Sequence, residues 1–300
     1  MLEIKRILCP IDFSEFSMRA YHYALSVAEH YRAQVLALHI VELSRYPYAD
    51  YAASVGDYDN FSRALCEGGK EQLQEFVKKH THVETDLEML VHQGTAPDCI
   101  LSVAKARKTD LIVMGTHGRR GFDRLMLGTT TDRVMRRVSC PVLAVSRAPH
   151  ESIAADNATG EEQRRVHHLN RILFSTDFSE NSERALNYAI SAATEYDAEL
   201  TLLHMLEDCA SPAKKDEAIA TATKQLDKLI PFGERKNLKI KTAVRVGEPY
   251  QHIIQHAQEA QIDLVVMAVR GRGALDLAVF GSTTYRVMQL GPCPVLAVHI

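Results

Sequence analysis

What this sequence lacks removes several classes of function. It has almost no excess of one charge: 35 Lys and Arg against 38 Asp and Glu leave a formal net charge of −3. That provides no basic field for nucleic acid or for an anionic membrane surface. No apolar run approaches the roughly 18 residues that a membrane span needs. The opening MLEIKRILCPID reads as a short strand and not as a signal peptide. The six cysteines contain no C-x-x-C pair and are spread along the chain. That pattern points to reduced, mostly buried thiols in a cytoplasmic protein. There is no G-x-x-x-x-G-K-[ST] phosphate loop and no G-x-S-x-G nucleophile turn. His167 and His168 form a lone pair in a polar stretch, too few ligands for a metal site.

What is present is a stretch that occurs twice. Leu111-Ile112-Val113-Met114 is an apolar run suited to a buried parallel strand. A loop with Gly115, Gly118 and Gly121 follows. Gly128-Thr129-Thr130-Thr131 then opens a helical segment to about residue 138, and Pro141-Val142-Leu143-Ala144-Val145 is a second buried strand. Glycines allow a phosphate close to the backbone. A helix N-terminus offers N–H donors and the positive end of its dipole. The plainer alternative is an ordinary loop with a threonine N-cap. Residues 264–298 repeat the pattern: Met267, Gly271, Asp276 and Gly281-Ser282 stand for Met114, Gly118, Asp123 and Gly128-Thr129. Cys293-Pro294-Val295-Leu296-Ala297-Val298 repeats Cys140 to Val145. Nine residues separate Gly118 from Gly128, and nine separate Gly271 from Gly281. Equal internal spacing in two copies indicates a duplicated domain. A chain of 300 residues, 46% apolar, suits two domains of about 150 residues each. The expected division is 1–147, a linker at 148–168, and 169–300.

Taken in order, residues 5–11 form the first predicted strand, with Asp12 just beyond it. Ser14 is placed to cap a helix to about residue 32, whose Ala20, Ala24 and Ala28 imply close packing on a sheet. Residues 34–41 are the second strand. His39 within it reads as a satisfied core residue, because no ligand cluster surrounds it. Residues 44–60 form a long loop whose Tyr46, Tyr48, Tyr51 and Tyr58 are candidates for a lid or partner surface, or simply for a mobile insertion. A helix over 61–79, an edge strand over 83–91 and a helix begun by Pro97 complete the first copy. The second copy restarts with Arg171 to Ser179, placing Ser175, Thr176 and Asp177 on Pro10, Ile11 and Asp12. Leu203-His204-Met205 repeats Leu38-His39-Ile40. A helix over 214–229 and a strand over 238–246 follow.

Each copy therefore alternates strand and helix, which predicts an α/β fold: two tandem doubly wound domains, each with a parallel sheet flanked by helices. Ligands of such sheets bind beyond the carboxyl ends of the strands, where the strand order reverses. Asp12 follows the first strand and the glycine loop the fourth, so both face one crevice if these strands are neighbours. Asp12 and Asp177 also have a plainer reading, as helix N-caps beside Ser14 and Ser179.

These residues resemble the universal stress protein family in tandem form, over 6–145 and 171–298. Its nucleotide-binding branch carries G-x-x-G, nine residues, then G-[S/T]. Gly115-Thr116-His117-Gly118 and Gly128-Thr129 match in full, whereas the second copy has Ala268 in place of the first glycine. The resemblance implies a five-stranded sheet in the order 3-2-1-4-5 and ATP, ADP or AMP at the switch point, with Mg²⁺ as a candidate companion. It implies a first site of Pro10, Ile11, Asp12, Ile40, Met114, Gly115, His117, Gly118, Gly128, Thr129 and Thr130. The second site would use Ser175, Thr176, Asp177, Met205, Met267, Arg270, Gly271, Gly281, Ser282 and Thr283. It also implies a pseudo-dimer of the two domains through their last strands, with homodimerisation and a protein partner left open. The function implied is a stress-response binding module. A slow ATPase or nucleotide-dependent transferase and a nucleotide-free scaffold are the alternatives. Were Gly115 to need a positive φ, Ala268 would weaken the second site by roughly 1–2 kcal/mol; in ordinary β geometry the extra methyl would matter only by crowding the ligand.

Overall fold

The computed structural model describes residues 3–46, 58–118, 126–146, 169–206, 212–230, 238–269 and 281–299. Tyr48, Tyr51, Asp123, His167, His168, Arg270, Gly271, Asp276 and the expected linker lie outside the described residues.

The first half runs β1 (Arg6–Ile11), α1 (Glu15–Tyr31), β2 (Gln34–Val41), α2 (Tyr58–His80), β3 (Leu87–Gln93), α3 (Ala96–Ala106), β4 (Leu111–Gly115), α4 (Thr129–Arg137) and β5 (Val142–Val145). The second half repeats it as β6 (Arg171–Thr176), α5 (Glu180–Glu195), β7 (Glu199–Leu206), α6 (Pro212–Leu229), β8 (Lys239–Val246), α7 (Pro249–Glu259), β9 (Leu264–Ala268), α8 (Ser282–Leu290) and β10 (Val295–Val298). The strand order is β3-β2-β1-β4-β5 in one half and β8-β7-β6-β9-β10 in the other, which is 3-2-1-4-5 in each. The order reverses at β1 and β6, as the doubly wound expectation requires.

In the first half, β1 lies between β2 and β4 and is parallel to both. Its Ile7, Leu8 and Cys9 are fully buried, because helices cover both faces of such a strand. The same burial pushes the Cys9 thiol well above its ordinary range. α1 starts where Ser14 Oγ accepts the Ser17 N–H at 3.2 Å. It ends at Arg32 in the left-handed region. Ala20, Ala24 and Ala28 are buried, so the helix backbone sits close to the sheet. At the amino ends of the strands, the Asp110 carboxylate accepts the N–H groups of Lys5 and Arg6 at 2.8 and 2.9 Å. Asp263 does the same for Asn170 and Arg171 in the second half.

Two predicted elements move most at their starts. β3 begins at Leu87 and not at 83, because Asp86 turns its carbonyl to Val35 N–H at 2.8 Å and its carboxylate to Gln34. α2 begins earlier than 61, at Tyr58, with Asp59 favourably placed at the positive end of the helix dipole. Tyr46 and Tyr58, two of the four loop tyrosines, pack locally. The Tyr46 ring stands edge-on to Phe61 at 6.3 Å, and the Tyr58 hydroxyl accepts from Gln93 Nε2 at 3.4 Å.

The chain divides by packing into two compact units, one holding β1 to β4 with α1 to α4, the other β5 to β10 with α5 to α8. Within the second unit, β5 and β10 pair antiparallel. The register sets Leu143 against Leu296, Ala144 against Val295 and Val142 against Ala297. Leu143 and Leu296 are equivalent positions of the repeat, so the pairing is symmetric about them, as in an isologous dimer contact. The two Cys-Pro-Val-Leu-Ala-Val segments thus satisfy each other's outer ladder groups and remove two sheet edges. Leu143 is 6% exposed. Leu143→Ala should cost about 2–5 kcal/mol, the range for truncating a buried leucine. Urea denaturation of the full chain measures it; a loss under about 1 kcal/mol would mean that the pairing contributes little.

Candidate functional site

The site is built where β1 and β4 end side by side. Asp12 follows β1. Its Oδ1 accepts the Ser14 N–H at 3.0 Å, while Ser14 itself caps α1. Asp12 therefore holds the turn, and the capping reading belongs to Ser14. Between them, Phe13 takes a φ of 63°, uncommon for a bulky residue. Two contacts oppose that strain. The Phe13 ring lies 4.5 Å from the His39 ring and 5.8 Å from Phe76. His39 Nδ1–H in turn donates to the Ile11 carbonyl at 2.8 Å. His39 is thus a satisfied structural histidine, as its isolation in the sequence suggested.

The glycine loop is shaped by close approach. A Cβ on Gly118 would stand 2.7 Å from Asp12 Oδ2, so Gly118 lies directly against the Asp12 carboxylate. Gly128 N–H donates to the Thr116 carbonyl at 2.8 Å, and a Cβ on Gly128 would meet that oxygen at 3.0 Å. Thr131 Oγ1 donates to the Gly115 carbonyl at 2.8 Å and is buried. Thr131 therefore points back to the strand; Thr129 and Thr130 are the more accessible hydroxyls. α4 has Gly128 as N-cap and no side chain capping its first turn, in contrast to α1. Its N-terminus thus offers N–H donors to an anion.

Gly115 corrects an expectation. Among the described glycines only Gly94 and Gly247 have a positive φ. Gly115 is extended, and its constraint is steric: a Cβ there would lie 2.8 Å from Phe16 Cβ and 3.1 Å from the His117 carbonyl. Ala268, its counterpart, is an ordinary strand residue and 8% exposed. The backbone penalty foreseen for Ala268 has no basis, because neither position needs left-handed geometry. His117 Nδ1 lies 3.0 Å from Thr116 Oγ1, while its Nε2 is buried and has no hydrogen-bond partner among the described residues. A buried polar atom left in this way suits a ligand oxygen. Ile11 and Met114 are 2% and 4% exposed, so what they present to a ligand is backbone. Pro10 and Ile40 are half-buried at the ends of β1 and β2. Fully buried Thr116 escaped the sequence reading, which takes no account of main-chain carbonyls; so did Phe16.

The second half keeps the frame. Gly281 N–H donates to the Val269 carbonyl at 3.0 Å and Thr284 Oγ1 to the Ala268 carbonyl at 2.9 Å. α8 again starts on a glycine without a side-chain cap, followed by Ser282 and Thr283. Phe178 has a φ of 58°, and His204 Nδ1–H donates to the Thr176 carbonyl at 2.8 Å. Asp177 differs. Its Oδ1 accepts from Ser179 N–H at 3.1 Å, Ser179 Oγ at 2.7 Å and Ser182 Oγ at 2.6 Å. Ser175, Thr176 and Met267 are buried, and Met205 lies near the end of β7. Among the described residues no group of three or more His, Cys, Asp or Glu is placed to hold a metal ion.

A doubly wound sheet built twice, with a glycine loop against the first-strand aspartate in the first half, defines a class of α/β proteins with a switch-point crevice. The chain belongs to the universal stress protein family, whose model matches residues 3–146 and again 168–299. It is 36% identical over 150 residues to a universal stress protein of Methanocaldococcus jannaschii, covering 49% of this chain and 85% of that one. It is 24% identical over 306 residues to a universal stress protein of Mycolicibacterium smegmatis, covering 98% of this chain and 96% of that one. The solved structure of a universal stress protein from Archaeoglobus fulgidus aligns over 99% of both chains with a TM-score of 0.73 and 19% identity, which establishes the shared fold.

The contact at Gly115 is open to test. Gly115→Ala should lower stability by about 1–3 kcal/mol, as overpacking does, by pressing α1 off β4. Ala268→Gly should cost only about 0.5–1 kcal/mol, through added chain entropy. Thermal and urea melts of both variants compare the two; equal losses would show that Phe16 yields easily.

Proposed function

We propose that the first half binds an adenine nucleotide, ATP foremost with ADP and AMP as relatives, and that the protein acts as a sensing module. The observation that carries this reading is the convergence of Asp12, Gly118 and the uncapped N-terminus of α4 at one end of the sheet. A carboxylate suits ribose hydroxyls or the base, and the N–H groups of α4 suit phosphates. Thr129, Thr130 and the buried His117 Nε2 add polar partners beside them. Mg²⁺ would accompany the phosphates. The reading is one of binding, with occupancy signalled to a protein partner; it calls for no catalytic residue. In this proposal the domains follow the repeat, 1–147 and 169–300, joined by a linker at 148–168. Five described cysteines are free thiols, and no helix among the described residues is long and apolar enough to cross a membrane. Both facts fit a cytoplasmic protein.

The second half is proposed as the weaker site, for a reason other than Ala268. Ser182 Oγ donates to Asp177 Oδ1, whereas its counterpart Ser17 Oγ donates to the Ser14 carbonyl, so Asp177 must give up a hydroxyl donor before that oxygen serves a ligand. Calorimetric titration with ATP should show one tight class near one site per chain. Asp12→Ala should weaken that class about ten- to a hundredfold, equivalent to one charged hydrogen bond of roughly 1.5–3 kcal/mol. Gly118→Val should abolish it, since the new side chain would displace the Asp12 carboxylate. Unchanged affinity in a folded Asp12→Ala variant, with only a lower melting temperature, would sink the nucleotide reading and leave Asp12 as a turn residue.

A further inference from the structure

A cavity of about 430 Å³ opens in the second half between the carboxyl end of β7 and α6. The rings of Phe178 and His204 form one side of it, with centroids 4.2 Å apart and planes 35° from parallel. Leu206 adds apolar surface from β7. Across from them, α6 contributes Glu217, Thr221 and Gln225, spaced one helical turn apart on a single stripe. Side chains alternate along a strand, so His204 and Leu206 face α6 while Met205 faces the opposite side of the sheet. The cavity is therefore separate from the switch-point crevice to which Met205, Gly281 and the start of α8 belong.

The two halves differ beside this phenylalanine. In the first half Phe76 stands 5.8 Å from Phe13 and 5.4 Å from Tyr21, a three-ring cluster beneath α2. At the positions of Phe76 and Tyr21 the second half has Leu229 and Leu186. Two rings are thus replaced by smaller side chains in the second half.

We propose that this cavity binds a small planar organic cation, an aromatic amine or amidine. Its volume lies in the range of small-molecule sites. The Phe178 and His204 rings suit a planar group, and an aromatic face attracts a cation. Glu217 is the charged side chain of the lining, and among the described residues no Lys or Arg joins it. Thr221 and Gln225 supply a hydroxyl and an amide for the nitrogen-bound hydrogens. An anion of the same shape would meet the Glu217 carboxylate with no cation among the described lining residues to offset it.

Benzamidine and benzoate, alike in shape and opposite in charge, are the probes. The full chain is titrated with each by calorimetry and saturation-transfer NMR. Benzamidine should bind saturably at one site per chain, at least about tenfold tighter than benzoate. Glu217→Gln should weaken it by about two- to fivefold, the effect of losing an exposed charged partner. Ala218→Leu, on the cavity wall, should abolish it, and saturating ATP should leave it unchanged. Thermal melts matching the parent show that each variant is folded. Should Ala218→Leu not fold, the surface substitution Glu217→Gln still decides. Absence of saturable benzamidine binding, equal binding of benzoate, indifference to Glu217→Gln, or displacement by ATP would each overturn the proposal.

Discussion

Two hydrogen bonds close the glycine loop onto the end of β4, and the geometry of the candidate site depends on them. Gly128 N–H reaches the Thr116 carbonyl, and Thr131 Oγ1 reaches the Gly115 carbonyl. Both acceptors are main-chain oxygens, so the start of α4 is fixed by backbone and not by the residues between. That leaves the intervening sequence free to vary, and the halves do differ there while keeping its length. The two ends are constrained, as is Gly118 against Asp12. Gly128 must lack a side chain, because its Cβ would press on the very oxygen its N–H binds. Thr131 must carry a hydroxyl, and its counterpart Thr284 makes the equivalent bond. A helix end secured in this way needs no capping side chain, which is why its first N–H groups remain suited to an anion.

The duplication is conserved where main chain meets main chain and relaxed where side chains meet. The left-handed Phe13 and Phe178, each with a histidine tied to the strand before it, recur in both halves. So does the carboxylate that joins the amino ends of the central strands. The symmetric pairing of β5 with β10 uses the same six-residue segment twice and needs only two strands of matched length. The aspartates after the first strands, by contrast, sit in different hydrogen-bond environments although the serines near them are the same. The aromatic cluster beneath α2 has no counterpart beneath α6. A buried ladder tolerates little change, whereas a side-chain cluster is replaced by smaller groups at a cost that the remaining core can absorb.

Much of this was legible in the sequence. Alternating apolar runs and capped helices gave the strand and helix order, since burial on two faces or one leaves a period in the residues. Equal glycine spacing in two copies gave the duplication. The Asp12 opening and the loop after β4 gave the crevice, because a doubly wound sheet can bring only those ends together. Boundaries at β3 and α2 were less legible: Asp86 and Tyr58 are placed by hydrogen bonds to distant residues, and no local pattern records that.

The sequence by itself determined which residues repeat, which face a core, and which of them are glycine, hydroxyl or carboxylate. Distances between elements were decided only by the tertiary structure. Gly115 looks like a residue chosen for backbone freedom, yet it is extended, and the helix residue Phe16 is what leaves no space for a methyl. Thr131 looks like a third ligand hydroxyl, yet it turns to its own strand. A sequence pattern reports the environment of a residue averaged over its turn or strand. Steric fit depends on how closely two elements approach, and that is set by every other side chain between them.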